Sequence, residues 1–585
     1  MKILFIMPNT LYVRNFESVI ATLAKSHKVI LGLEHGVETM SPEVQSFVDC
    51  LLRAHGGAIE IMSLPERQSF WSGAAAQLRA WGDYSRYFLP LHQRARRCAD
   101  RAASFLVSPL KVLDRTPRAL RVPGARLIGG FCGWAEEVLP VEVQALKAIR
   151  ACAPNIVLLT PLIDLDSGQV DYVKACRALR IPIGHCVASW DNLTNKGLIK
   201  ALPDRVFVWN EAQKAEAVQL HNVPPDRVIV TGAQLFDHWF EWKPSRDRES
   251  FCAGLGLDPA RPILLYTASS VFICRSEVEF VIRWLKAIRD CGDPRLNGAG
   301  VIIRPHPKAA KTLSQWESEE LQALSGVVVF PRGGHMPISE QTRNDYYDSL
   351  YHSGAVVGIN TSAMVEAAIV GRRSFTVLLD EVREGQDGMV HFQHLTQEGF
   401  LGVAESLDEH MLQLADELSS SADQSSGSDR TRDFVLSFLR PYGLDQAATP
   451  RFITEVERLE GLPVEGPSFV ARLGWLQRPL LLPFVALAAY YDEASVRRRR
   501  KRRKALAKSL FGRRAQRGVN RIRGAGKRAV RHALSRIGRL VRRGPQGPVQ
   551  VPMPLDAKDR CAPEGSPSSM QPLAKPAKGR KRAAA

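Results

Sequence analysis

Short runs of apolar, largely β-branched residues alternate with helix-length segments twice along this chain, and few folds accept that pattern. In the first series the strand-like runs cover residues 2–7, 28–33, 58–64, 156–160, 181–188, 205–208 and 228–230. Helix-like segments at 13–26, 42–54, 141–151, 169–179 and 211–221 separate them. The second series places strands at 263–267, 300–304, 327–330, 355–359 and 374–379, with helices at 277–291, 313–325, 345–353 and 363–370. Crossover segments of this length are what parallel strands require. The expected fold is therefore α/β, with two tandem Rossmann-like doubly wound domains.

The spacing predicts a first domain over 1–240, interrupted by an Arg- and aromatic-rich helical insertion at about 66–139 that borders an acceptor site. A second domain covers 249–417, and helices within 430–461 pack back on the body. Residues 479–491 are apolar, but the run is only thirteen residues long and is broken by Pro483, a length suited to an interface and not to a span. The sequence RRRRKRRK follows at 497–504, and further on Val530, Leu534, Ile537 and Val541 repeat at i, i+4, i+7 and i+11 among arginines. Residues 479–543 thus read as a segment for an anionic membrane surface, and 544–585 as a disordered tail.

The net charge of +19 resembles a nucleic-acid signature until it is divided. From Arg497 onward there are 28 basic and 3 acidic residues, so the rest of the chain is mildly acidic. A nucleic-acid-binding role through the tail is the alternative from a different class. It is disfavoured because the tail lacks the interleaved aromatics of single-strand binders. The ten cysteines contain no C-x-x-C pair, which points away from zinc sites and disulfide frameworks and towards the cytoplasm. MKILFIMPNT reads as a first strand and not as a leader, and no apolar run is long enough to span a bilayer. The expected location is cytoplasmic, peripheral at the inner face of the cell membrane.

The chemistry concentrates at strand exits. In AVVGINTSAMVEAAIVG, residues 355–371, a strand breaks at Asn360-Thr361-Ser362 and a helix begins. Hydroxyls and backbone N–H groups there suit a phosphate, with Glu366 one turn on for a ribose hydroxyl. An ordinary capped helix is the plain alternative. Ser269 and Ser270 follow the strand ILLYT, and RPHP sets Arg304 and His306 at another exit between prolines. Together these residues form a cradle for a nucleotide diphosphate. In the first domain Asp191 is the leading candidate base, with Asp164 and Asp166 next and His185 third. Trp190 is placed to stack on a sugar ring, the plain alternative being a helix-capping Asp191 with a packed Trp, and Asn9, in a turn without G-x-G-x-x-G, joins it on the acceptor side. No acidic pair stands where a metal-dependent transferase needs one, so neither metal nor cofactor is expected.

The run RPHP, with DYYDSLYHSGAVVGINTSAMVEAAIVGRRSFTVLL from Asp345, resembles the donor half of GT-B glycosyltransferases, the UDP-glycosyltransferase and glycogen phosphorylase-like superfamily. It is most similar to bacterial surface-polysaccharide enzymes and to CDP-glycerol glycerophosphotransferases. Residues 189–240 resemble members of the same superfamily. The resemblance implies a nucleotide-sugar donor in the second domain and a glycan or lipid-linked acceptor in the first. His306, Thr361, Ser362 and Glu366 then contact diphosphate and ribose. The implied activity is sugar transfer in cell-surface polysaccharide synthesis. Three alternatives stay open: a CDP-glycerol-type polyol-phosphate transferase, a sugar-nucleotide 2-epimerase-like enzyme and a non-catalytic sugar-nucleotide binder. Asn360-Thr361-Ser362 replaces the Asp and paired serines of the glycerophosphotransferases and the Asp-Ser-Gly-Gly turn of the epimerases.

Overall fold

A computed structural model describes residues 1–36, 42–165, 167–307, 313–396, 399–420 and 426–491. The first sheet contains β1 (Lys2–Met7), β2 (Lys28–Leu33), β3 (Ile59–Ser63), β4 (Ile156–Leu159), β5 (Ile183–Cys186), β6 (Arg205–Val208) and β7 (Val228–Val230). Its order is β3-β2-β1-β4-β5-β6-β7, and every pair is parallel. The second sheet contains β8 (Ile263–Thr267), β9 (Gly300–Arg304), β10 (Val327–Val329), β11 (Ala355–Gly358), β12 (Ser374–Val377) and β13 (Leu401–Ala404), in the order β10-β9-β8-β11-β12-β13 and again all parallel. Two doubly wound α/β sheets in tandem form the GT-B arrangement. The strands are apolar along their whole length because helices cover both faces; all four residues of IVLL in β4 are buried.

Local chemistry moves several boundaries from their expected places. The segment expected as one helix over 13–26 opens as a 3-10 turn, Thr10–Phe16, where Asn9 Oδ1 accepts from Leu11 N at 3.0 Å, and only then becomes the α-helix Glu17–Leu23. The helix expected over 313–325 is two single turns, Leu313–Trp316 and Glu319–Gln322. The helix expected at 345 starts earlier, at Glu340, because Ser339 Oγ accepts from Thr342 N. Strand β13 and the helix after it, Leu407–Ser420, were not expected. LGVA is short and contains a glycine, so its strand character comes from pairing with β12 and not from its own pattern.

The insertion is built on the helices Ser72–Arg86, Arg96–Ser104 and Arg118–Val138. A buried ionic network fastens it to the first domain. Arg79 is bidentate to Glu136 at 2.8 and 2.9 Å and also reaches Asp171 at 2.7 Å, while Lys174 and Arg67 complete the charges. Glu136 is held far below the usual carboxylate range, because Arg79 and Lys174 outweigh the cost of burial. Helix Ala448–Glu457 returns to the first sheet, where Phe452 lies 5.1 Å from Phe207 and Asp237 accepts from Ala448 N and Thr449 N. Ion pairs Arg343–Glu17 at 2.9 Å and His394–Glu216 at 2.6 Å tie the two domains together. Among the described residues no helix is long and apolar enough to cross a membrane. The expectations for 492–543 and for the 544–585 tail lie outside the described residues.

Candidate functional site

In an open parallel sheet, ligands collect beyond the strands' carboxyl ends where the strand order reverses. Here the reversals fall between β1 and β4 in one domain and between β8 and β11 in the other. Residues from both exits line one cleft of about 730 Å³. Its walls carry Asn9, Trp190, Asp191, Ser270, Arg304, His306, Asn360, Thr361, Ser362 and Glu366, so most of the residues picked out along the sequence meet in one place.

On the second-domain wall, Arg304 ends β9 beside Thr267 of β8. Its guanidinium lies 4.3 Å from the Tyr346 ring centroid and is buried, and Nη1 has no hydrogen-bond partner. Burial presses its pKa down and Tyr346, Glu366 and Asp345 pull it up, but a guanidinium keeps its charge. Such a cation is a receptor for an anionic group. Glu366 accepts from the Tyr346 hydroxyl, and burial raises its pKa to about 7 against the pull of Tyr346, Arg14 and Arg304.

The helix start itself differs from expectation. The helix is only seven residues long, Ala363–Ile369, and its first N–H groups turn back on their own chain: Met364 N donates to Thr361 O, and Val365 N and Glu366 N donate to Ser362 O. Ser362 makes no cap hydrogen bond; its Oγ accepts from Trp190 Nε1 at 3.1 Å. The first N–H groups are therefore already engaged within the turn, and the side chains are the polar groups left facing the cleft. Asn360 is a buried strut, donating through Nδ2 to Gly385 O at 2.8 Å and to His391 Nε2 at 3.1 Å. Ser269 stands behind the wall, where its Oγ accepts from Asn360 N and its N–H donates to Glu277.

Facing them, Asp191 accepts from Asn192 Nδ2 and Asn195 Nδ2, each at 3.2 Å. Burial works to raise its pKa, but His391, Lys196, Ser189 and Asn195 together hold it below the usual carboxylate value. Asp164 is off the cleft wall and pairs with Lys196 Nζ at 2.7 Å, whereas Lys196 itself lines the cleft. Asp166 lies outside the described residues. His185 is fully buried within β5, and burial pushes its pKa down to about 4. It cannot reach an acceptor, which removes it as a base.

Several wall residues were not picked out along the sequence. Arg14 sits one turn into the segment after β1 and turns its charge towards Glu366. Arg101, from the insertion, lies 4.2 Å from the Phe272 ring centroid and closes one side of the cleft. His391 belongs to a short 3-10 segment, Val390–Phe392, and meets Trp190 edge-on at 4.8 Å. Arg14 was discoverable as a cation just past a strand exit, whereas His391 was not. Among the described residues no group of three or more His, Cys, Asp or Glu side chains is placed to hold a metal.

No protein-family model matches the sequence, and no curated protein matches it. Solved structures are similar at a distance. The Staphylococcus aureus MnaA–UDP co-structure shares 13% identity with a TM-score of 0.45, covering 80% of this chain and 99% of that one. UDP-GlcNAc 2-epimerase from Neisseria meningitidis bound to UDP-GlcNAc shares 13%, with a TM-score of 0.44 over 78% of this chain and 100% of that one. Anabaena Alr3699/HepE in complex with UDP-glucose shares 11%, with a TM-score of 0.43 over 79% of this chain and 100% of that one. Likeness this remote fixes neither the reaction nor the ligand.

Proposed function

We propose that the cleft binds a nucleoside-diphosphate sugar and that the chain transfers the sugar to an acceptor hydroxyl. The observation that carries this reading is the meeting, in one cleft, of a buried Arg304 whose Nη1 has no hydrogen-bond partner and of Glu366, its pKa raised to about 7, with Trp190 and Asp191. The diphosphate lies against Arg304, Arg14 and His306, and the ribose hydroxyls against Glu366. Trp190 supplies an apolar edge for the sugar.

As the acceptor oxygen bonds to the anomeric carbon, the bond from that carbon to the phosphate oxygen breaks. The proton lost by the acceptor passes to Asp191, and the charge gained by the departing diphosphate is met by Arg304 and Arg14. An aspartate with a depressed pKa is a weak base for a free hydroxyl, so it acts as the new bond forms and the hydroxyl turns acidic. A glycan or lipid-linked acceptor lies beside Arg101, which lines the cleft from the insertion.

Thermal-shift screening against UDP-, GDP-, CDP- and dTDP-linked sugars, repeated with Arg304→Met, tests the binding step. Stabilisation by one nucleotide series that the variant abolishes is expected. No stabilisation by any of them overturns the reading.

One observation favours a second reading. A carboxyl that titrates near pH 7 can both give and take a proton, which isomerisation at a sugar carbon requires, and Glu366 is such a group. Incubating the bound nucleotide sugar alone, with no acceptor, separates the two. A new sugar epimer by NMR supports epimerisation, and unchanged donor supports transfer.

A further inference from the structure

We propose that an apolar strip shared by the insertion and residues 467–491 is a docking face for an anionic lipid surface. On helix Arg118–Val138, residues Leu120, Leu127, Phe131, Trp134 and Val138 recur along one face. The chain after Pro467 covers half of that stripe, running opposite to the helix. Gly474 sits against the Val138 carbonyl, Gln477 Oε1 accepts from Trp134 Nε1 at 2.8 Å, and Phe484 lies 5.5 Å from Phe131. Leu481 is fully buried beneath. Among the described residues nothing covers the other half of the stripe: Leu127 is 76% exposed, and Leu120 is exposed with it.

The covering segment repeats the pattern on its own outer side. Phe469 is 75% exposed and Trp475 63%, and Leu480 and Tyr490 are exposed as well. Large apolar side chains at this density, gathered on two touching elements, call for a partner.

Charge selects which partner. Residues 90–126 carry nine basic and two acidic side chains, and Arg115, Arg118 and Arg126 are exposed around Leu120 and Leu127. Residues 467–491 add two arginines and no acid, and the chain then continues into the basic run at 497–504. A second copy of this chain would bring two basic rims together, and the basic tail would meet a rim of its own sign. A nucleic acid would use the arginines and leave Phe469, Trp475 and Leu127 in water. An anionic bilayer answers both features: Trp, Tyr and Leu enter the headgroup region while the arginines reach phosphates. This face includes insertion residues that no reading of the tail alone would name, and it does not depend on what the cleft binds.

The full chain is floated with phosphatidylcholine vesicles with and without phosphatidylglycerol. Co-flotation only with phosphatidylglycerol is expected, and Trp475→Ser combined with Leu127→Ser should weaken it by about tenfold or more. As a second readout, Leu127→Cys in a Cys50→Ser, Cys291→Ser and Cys561→Ser background carries an environment-sensitive dye, whose emission should shift to the blue on the anionic vesicles. Undiminished flotation of the double variant, or no shift of the dye, overturns the proposal. So does a dimer by light scattering that the double variant abolishes, or salt-sensitive RNA binding without flotation.

Discussion

Trp190 Nε1–H donates to Ser362 Oγ at 3.1 Å, so an indole from the first domain holds the hydroxyl that opens the second domain's cleft helix. The same ring meets His391 edge-on, and His391 in turn accepts from Asn360. A residue expected to stack on sugar is thus also a contact between the two domains, and the two strand exits are joined by one side chain.

Trp190→Phe keeps the ring and removes the donor. Its cost in urea unfolding should be about 1 kcal/mol, the net worth of one such hydrogen bond. Ser362→Ala should cost a similar amount, and the double variant little more than either single one. Fully additive losses would show that the two side chains do not act as a pair.

Arg304→Met replaces a buried, partly unpartnered cation with an apolar chain of similar length. Unfolding without ligand should be unchanged or slightly harder, because a desolvated charge is removed. Stabilisation by the nucleotide-linked donor should disappear in the same protein. A large loss of stability in the absence of donor would make Arg304 a structural cation.

Glu366 gives a pH signature. Its folded pKa, about 7, lies above the ordinary glutamate value of 4.5, so the folded state favours the protonated form. Below about pH 4.5 both states are protonated and this stabilisation is complete. It is lost as pH rises towards 7 and is gone above that. Glu277, also raised to about 7 by burial, contributes in the same direction. The stability of the protein minus that of Glu366→Gln should therefore fall between pH 4.5 and 7 and level off beyond. A flat difference in denaturation midpoints across that range would refute the shift.

Arg79→Met leaves Glu136 and Asp171 buried with one cation fewer. Breaking one partner of a buried ionic network costs about 3–5 kcal/mol, so unfolding should become markedly easier. None of Arg79, Glu136 and Asp171 lines the cleft, so donor binding at low temperature should persist.

Much of this molecule was legible in its sequence. The β-branched runs and their spacing specify both parallel sheets, because a strand buried on both faces must be apolar throughout and a parallel neighbour needs a long crossover. The residues at strand exits were legible for the same reason: a break from IVLL or AVVG into polar side chains marks the carboxyl edge of a sheet, where ligands collect. Tertiary structure alone decided the rest. It placed Asp191 on the cleft and Asp164 off it, enclosed His185 in β5, and added Arg14, Arg101 and His391, of which only Arg14 stands at a strand exit legible in the sequence. It also paired LGVA into β13 and closed the first N–H groups of the cleft helix onto Thr361 and Ser362, which the sequence pattern had left free for an anion. Periodicity reports which face of an element is buried, whereas the meeting of two faces depends on how domains and an insertion pack, and no short stretch of sequence encodes that.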